Sequence, residues 1–390
     1  MKKMDKKMLT ALMLMLSPAV WAAPTTQPDN LKVNHLASPL GIDDAAPRLE
    51  WRTEGMEQSA YEITVGTDSA AVASGKGSAW QSGRVASGER MAVYGGEKLK
   101  PTTVYFWRGS VSDGKGNTAN SDVARFETGL MGRWHGAWIS DGYDKNHRAA
   151  PYFRKTFDAT KSIKSARAYI SAGGLFVLSV NGQRVGNHFL DPVYTRYDRR
   201  CSYVTFDITP LLHSGRNALG VVLGNGWYNH QALAVWDFDR APWRNRPTFC
   251  MDVVVTYPDG TTQTVATDLS WRTSGGPLIY NNIYTGEHYD FNLVQQGWDT
   301  PQFDDSKWQG VRFRSAPAPL VWSQQMEPIR LTETHSAVKM TRLNDTTYVY
   351  DFGRNMAGVT SVRVKGEKGT NLRISHGERL HADGTLDQSN

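Results

Sequence analysis

From Pro24 onward the chain shows almost no apolar recurrence at helical spacing. Short runs in which apolar and polar residues alternate follow one another instead, punctuated by Gly, Pro, Asn and Asp. That period of two puts one side of each run on a core and the other in water, so the pattern predicts an all-β chain of tandem sandwiches. Between residues 31 and 129 the runs 47–51, 61–65, 103–108 and 124–128 suit an immunoglobulin-like sandwich. Leu99-Lys100-Pro101, leading into a strand with Tyr105 and Trp107, gives it a fibronectin type III character. A second set, 168–172, 175–180, 249–257 and 261–265, suits a jelly roll. Its turns are legible: Asn181-Gly182 supplies the two positive-φ positions of a tight hairpin, and Pro258-Asp259-Gly260 a second turn. Near Leu331 a third set begins, with strands expected at 348–351, 359–364 and 372–375, a sandwich only started when the sequence ends at Asn390. The divisions read as 1–22, 23–131, 132–332 and 333–390.

The first of these segments has a different pattern. Lys2, Lys3, Lys6 and Lys7 precede an apolar run over residues 9–16, and Val20-Trp21-Ala22 offers a small-residue cleavage site. This is the layout of a secretory signal peptide cut after Ala22 or Ala23, so the expected location is periplasmic or extracellular, with no membrane attachment after cleavage. The leader also changes the charge. Of 44 basic and 38 acidic side chains, it holds four lysines and one aspartate, and without it the balance falls from +6 to +3. The remaining charges are mixed in sign along the chain, which argues against a nucleic-acid partner. In an oxidising compartment Cys201 and Cys250 could form a disulfide; two separate buried thiols is the other reading.

No His-Glu-x-x-His, Gly-x-Ser-x-Gly, phosphate loop or Cys-x-x-Cys is present, and nothing calls for a cofactor. The metal question stays open, a calcium ion in the jelly roll included. Acids are too numerous for sequence to single out a catalytic pair. Three loops of the second unit combine rings with carboxylates and amides: Asp191-Pro192-Val193-Tyr194-Thr195-Arg196-Tyr197-Asp198, Gly224-Asn225-Gly226-Trp227-Tyr228-Asn229, and Tyr284-Thr285-Gly286-Glu287-His288-Tyr289-Asp290. Sugars present C–H faces that pack on rings and hydroxyls that need oriented partners. Asp191, Tyr194, Tyr197, Trp227, Tyr228, Glu287 and Tyr289 are therefore the candidate carbohydrate-binding residues. The alternative is that the rings are core and the acids solvate turns.

Several of these motifs, in order, resemble one family. Tyr152-Phe153-Arg154-Lys155-Thr156-Phe157, Asn181-Gly182-Gln183-Arg184-Val185-Gly186, Gly215-Arg216-Asn217-Ala218-Leu219-Gly220 and Phe303-Asp304-Asp305-Ser306-Lys307-Trp308 resemble the amino-terminal jelly roll of bacterial α-L-rhamnosidases. Tyr350-Asp351-Phe352-Gly353-Arg354-Asn355 and Gly377-Glu378-Arg379-Leu380-His381 are similar to the start of that family's concanavalin-like sandwich. The resemblance implies rhamnose-containing glycosides or polysaccharides as partners and inverting hydrolysis of terminal α-L-rhamnosides, in which one carboxylic acid protonates the leaving oxygen while a second activates water. In the family those acids lie on a downstream helical barrel. No catalytic position can be carried over, and the chain is expected to be inactive alone. A free-standing lectin-like protein and a structural or adhesion sandwich are the rival readings.

Overall fold

The computed structural model describes residues 27–233 and 236–389. The expected leader, residues 1–22, lies outside them. Among the described residues no helix is long and apolar enough to cross a membrane.

In the first unit β1 (Asp29–Val33), β2 (Arg48–Arg52) and β5 (Met91–Val93) form one sheet. The other consists of β4 (Trp80–Gln81), β3 (Gln58–Gly66), β6 (Val104–Asp113) and β7 (Thr118–Asn120), with β8 (Ala124–Glu127) also on β6. Alternation sets which side chains meet between the sheets. Leu49 and Trp51 of β2, Ile63 and Val65 of β3, and Trp107 and Val111 of β6 share one core, while Arg48 and Arg52 stay exposed.

The second unit is a larger sandwich. One sheet runs β13 (Gln183–Arg184), β12 (Leu175–Val180), β16 (Gly215–Gly224), β10 (Pro151–Ala159), β19 (Arg272–Gly275), β22 (Gln309–Gly310). The facing sheet runs β23 (Arg312–Phe313), β9 (Ile139–Ser140), β17 (Thr248–Thr256), β11 (Ser165–Gly173), β15 (Cys201–Asp207), β24 (Val321–Ser323), with β18 (Thr262–Ala266) on β17. Phe153, Phe157, Ile170, Leu219, Val221, Phe249, Met251 and Trp271 interdigitate between them. Both anticipated turns form. Asn181 and Gly182 have φ of 52° and 80° between β12 and β13, and Gly260 has φ of 83° between β17 and β18.

One strand has no open face. Ala166, Ala168, Ile170 and Ala172 of β11 point into the sandwich core. The alternate side chains, Arg167 and Tyr169, are covered by the first unit, where Tyr169 and Tyr203 pack with Leu130 and Trp134. Arg167 donates two hydrogen bonds to the Glu127 carboxylate (2.9 and 3.0 Å). Asp43, also from the first unit, accepts from Tyr203 Oη (2.7 Å), Met131 N (2.8 Å) and Ser323 N (3.2 Å). The backbones come so close that a Cβ on Gly129 would strike Tyr203 Oη, and one on Gly41 would strike Thr205.

Two expectations need correction. Cys201 and Cys250 are both free and buried. They lie on β15 and β17 with β11 between them, so two interstrand spacings, about 9.6 Å, separate their backbones, beyond disulfide reach. In the third unit 348–351 is realised as β27 (Tyr348–Asp351), paired with β26 (Lys339–Arg342). Residues 359–364 and 372–375 are not strands: Val359, Val364 and Leu372 lie exposed, with no ladder partner among the described residues. Alternation writes a face for a strand, but the strand needs a neighbour to bond.

Candidate functional site

The 191–198 and 224–229 loops meet at one end of the second sandwich, where the turn after β20 (Leu278–Asn282) joins them. Asn225 fixes the middle loop, its N–H donating to Asn281 Oδ1 (2.6 Å) and its amide to Asn281 O (2.9 Å). Asn229 in turn donates to Asn225 Oδ1 (2.9 Å) and Lys145 O (3.0 Å). The result is a group of rings. Trp227, half-buried, lies 5.8 Å from Tyr194, 5.0 Å from Phe238 and 5.3 Å from Tyr284 between centroids. Tyr194 and Tyr284 are open to solvent, as are Leu233 and Trp236, which fall between His230 and Phe238 in the chain.

At the base of the group sits His230, fully buried with its ring nearly parallel to Trp227 (13°). The Asn282 amide donates to His230 Nδ1 (3.4 Å), which assigns the ring proton to Nε2. That N–H has no partner, and Oδ1 of nearby Asp239 is also buried and unpartnered. Burial holds the imidazole pKa below the usual histidine range, with Asp239 pulling the other way, so the ring is neutral at pH 7. An unpaired donor and an unpaired acceptor among aromatic faces form the chemical complement of a polyol with one apolar edge.

The seven expected residues divide three ways. Tyr194 and Trp227 are in the ring group. Tyr197 and Tyr228, 3% exposed, form its floor, with rings 5.0 Å apart; burial pushes the Tyr228 phenol up to about 12 and that of Tyr197 higher still. Asp191, 5% exposed, accepts from His188 Nδ1 (3.0 Å) and holds the loop in place rather than facing outward. Glu287 and Tyr289 are elsewhere, on β21 (Gly286–Tyr289). Tyr289 packs on Phe291 (4.8 Å); Tyr289 and Glu287 both sit near Tyr152, whose phenol is pushed up to about 12 by burial and by these two neighbours. His230, Phe238, Asp239 and Tyr284 were not among the expected residues. The signal for Phe238 and Tyr284 was their place in ring-rich loops; nothing local marked His230 or Asp239.

Among the described residues no group of three or more His, Cys, Asp or Glu side chains could hold a metal ion.

Comparison with known proteins places this architecture. Residues 28–132 match a Rha78A-like N-terminal immunoglobulin domain, 161–333 the α-L-rhamnosidase N-terminal domain, and 341–390 the bacterial α-L-rhamnosidase concanavalin-like domain. The chain belongs with the amino-terminal portion of the bacterial α-L-rhamnosidases. An α-L-rhamnosidase of an Alteromonas species is 32% identical over 91% of this chain and 40% of its own length. The α-L-rhamnosidase structure from Dictyoglumus thermophilum superposes with a TM-score of 0.78 at 34% identity, over 85% of this chain and 39% of that one. That from Streptomyces avermitilis, solved with L-rhamnose, shares the fold (TM-score 0.86, 23% identity, 93% and 52% covered). The chain thus spans between 39% and 52% of the length of the curated α-L-rhamnosidases it matches.

Proposed function

We propose that this chain is the exported, substrate-recruiting portion of an α-L-rhamnosidase that inverts terminal α-L-rhamnosides, and that the ring group around Trp227 receives the rhamnose. One observation carries the reading: a buried unpartnered N–H and carboxylate oxygen, on His230 and Asp239, lie among the rings of Trp227, Phe238 and Tyr284. Rhamnose has a C6 methyl and hydroxyls on one small ring, so its apolar edge covers Trp227 while a hydroxyl bridges donor and acceptor. Burying both polar atoms unpaired is costly, and a hydroxyl that pairs them recovers that cost. The α-L-rhamnosidase relatives supply the substrate class.

The proposal includes no hydrolysis by these residues alone. Inversion needs two carboxyl groups on opposite sides of the bond with room for water between them. Here Asp191 is engaged by His188 and exposed Asp198, near Tyr194, by Arg196, while Asp239 is the acid beside His230. Titrating L-rhamnose into the full chain, followed by tryptophan fluorescence or NMR, is the test. Millimolar binding, weakened about fivefold by Trp227→Ala, supports the reading; no binding at tens of millimolar, or equal binding by the variant, overturns it. Release of nitrophenol from a nitrophenyl α-L-rhamnoside by the chain, persisting after removal of host glycosidases, would place an acid pair within it.

A further inference from the structure

On the far side of the 141–150 loop from the ring group is a polar cleft. The loop is shared: Asn229 and Gln231 bond Lys145 O on one side (both 3.0 Å), and Arg246 bonds His147 O and Ala149 O on the other (both 2.9 Å). The cleft, about 80 Å³, is lined by Tyr143, His147, Thr273, Lys307 and the Asp141–Arg246 pair. It adjoins a shallower one of about 530 Å³ floored by Ser274 and Gly275 and bordered by Ile279 and Leu293.

Three features point to a ligand. Thr273 is 2% exposed and its Oγ1 has no partner, although its backbone is fixed between β10 and β22. Tyr143 stacks on His147 (3.8 Å, 8°) yet is 46% exposed, which leaves a rigid ring face at the mouth. The charge of the lining is one-sided, with Asp144 outside the lining but close enough to His147 to be felt there. Asp141 and Arg246 are fully buried against each other (3.0 and 2.5 Å) and cancel. Burial, reinforced by Arg246, holds the His147 pKa below the usual histidine range, so that ring is neutral at pH 7. What remains is Lys307, exposed and in no ion pair among the described residues, although Asp304 out in solvent feels its charge. Arg314, donating to Asp141 O and Tyr143 O (3.1 and 2.8 Å), adds positive potential behind the turn. The larger cleft has no charged lining residue.

We propose that this cleft is a second sugar subsite that takes a pyranose bearing one carboxylate. At about 80 Å³ the inner cleft holds roughly five water-sized groups, which suits a carboxylate but not a ring. The carboxylate enters toward Lys307 Nζ and accepts from Thr273 Oγ1, a charge-assisted contact on an otherwise wasted donor. The ring lies outside, on Tyr143 and over the wider cleft. The two subsites, on either side of one loop, would grip neighbouring residues of an acidic rhamnose-containing polysaccharide. The inference extends the carbohydrate reading, but its test stands apart from the rhamnose titration.

Sodium glucuronate, glucose and inorganic sulfate are titrated separately into the full chain and its variants. Glucuronate is expected to bind in the millimolar range and more tightly than either control. Lys307→Met, Tyr143→Ala and Thr273→Val should each weaken it about fivefold, and Trp227→Ala should leave it unchanged. Thr273→Val also separates binding from folding: it removes an unpaired hydroxyl at constant shape, so its thermal midpoint should hold or rise while affinity falls. Glucose binding as tightly as glucuronate, sulfate binding as tightly as glucuronate, indifference to Lys307→Met, or no binding at tens of millimolar would each overturn the proposal. Rhamnose binding lost with glucuronate retained would overturn the Trp227 reading alone.

Discussion

His230 and Asn181 show opposite ends of what a single residue reveals. Asn181 announced itself by its neighbour Gly182, and the structure gives the asparagine further work. Its amide donates to Leu211 O and Asn217 Oδ1, and its Oδ1 accepts from Ala218 N, each at 2.8 Å. Asn181→Ala should therefore cost about 2 kcal/mol, more than its positive φ alone, from the lost bonds of a partly buried amide. A urea midpoint shift measures it; a change within experimental error would show that water replaces all three bonds. His230 carries no such mark. A histidine beside Asn229 reads as ordinary, and only the fold brings it among Trp227, Phe238 and Tyr284 with Nε2 unpaired. The seven expected residues divide for a related reason. Composition found ring-rich loops, but burial, which separates the floor (Tyr197, Tyr228) from the rim (Tyr194), is set by distant strands.

Strands were the most legible elements because alternation is local. The runs at 47–51, 61–65, 175–180 and 249–257 all became strands close to their expected bounds. Long-range partners were not legible. Nothing in Ala166-Arg167-Ala168-Tyr169 says that the polar-looking side is also covered, yet Arg167 is matched to Glu127 across the two units. Cutting Arg167 leaves Glu127 buried and unpaired, so Arg167→Met should cost about 3 kcal/mol; Glu127→Gln should cost less, because Asp207 still pairs with Arg167 (2.8 Å). Replacing both should cost clearly less than the sum, which a double-mutant cycle by chemical denaturation checks. Additive losses would mean that the bond contributes little beyond each side chain's own packing. The 359–364 and 372–375 runs make the same point in reverse: alternation without a partner strand is a face with nothing to bond.

At the scale of the molecule, the first two units are joined by buried polar contacts, and one of them responds to pH. Burial holds the Asp43 carboxyl above its usual range, against the pull of its bonds from Tyr203, Met131 and Ser323. The folded state thus prefers the protonated acid, and its stabilising contribution is full below the unfolded value of 3.8 and is lost as pH rises through the raised one. Measured against Asp43→Asn, the native chain should gain stability as buffer is taken from pH 7 toward 4; the reverse trend would mean that the hydrogen bonds outweigh burial. The leader expected from the sequence makes a separate prediction: expressed in a Gram-negative host, the chain should be recovered with Ala23 or Pro24 at its start, and retention of Met1 in the cytosol would remove the case for export. The glycines at the seam carry a consequence for engineering. Because Gly41 and Gly129 leave no space for even a methyl group against Thr205 and Tyr203, the sandwich at the amino end is not an interchangeable cassette. A chimera that grafts a foreign immunoglobulin-like domain onto this jelly roll will seat only if the donor brings glycine to both places.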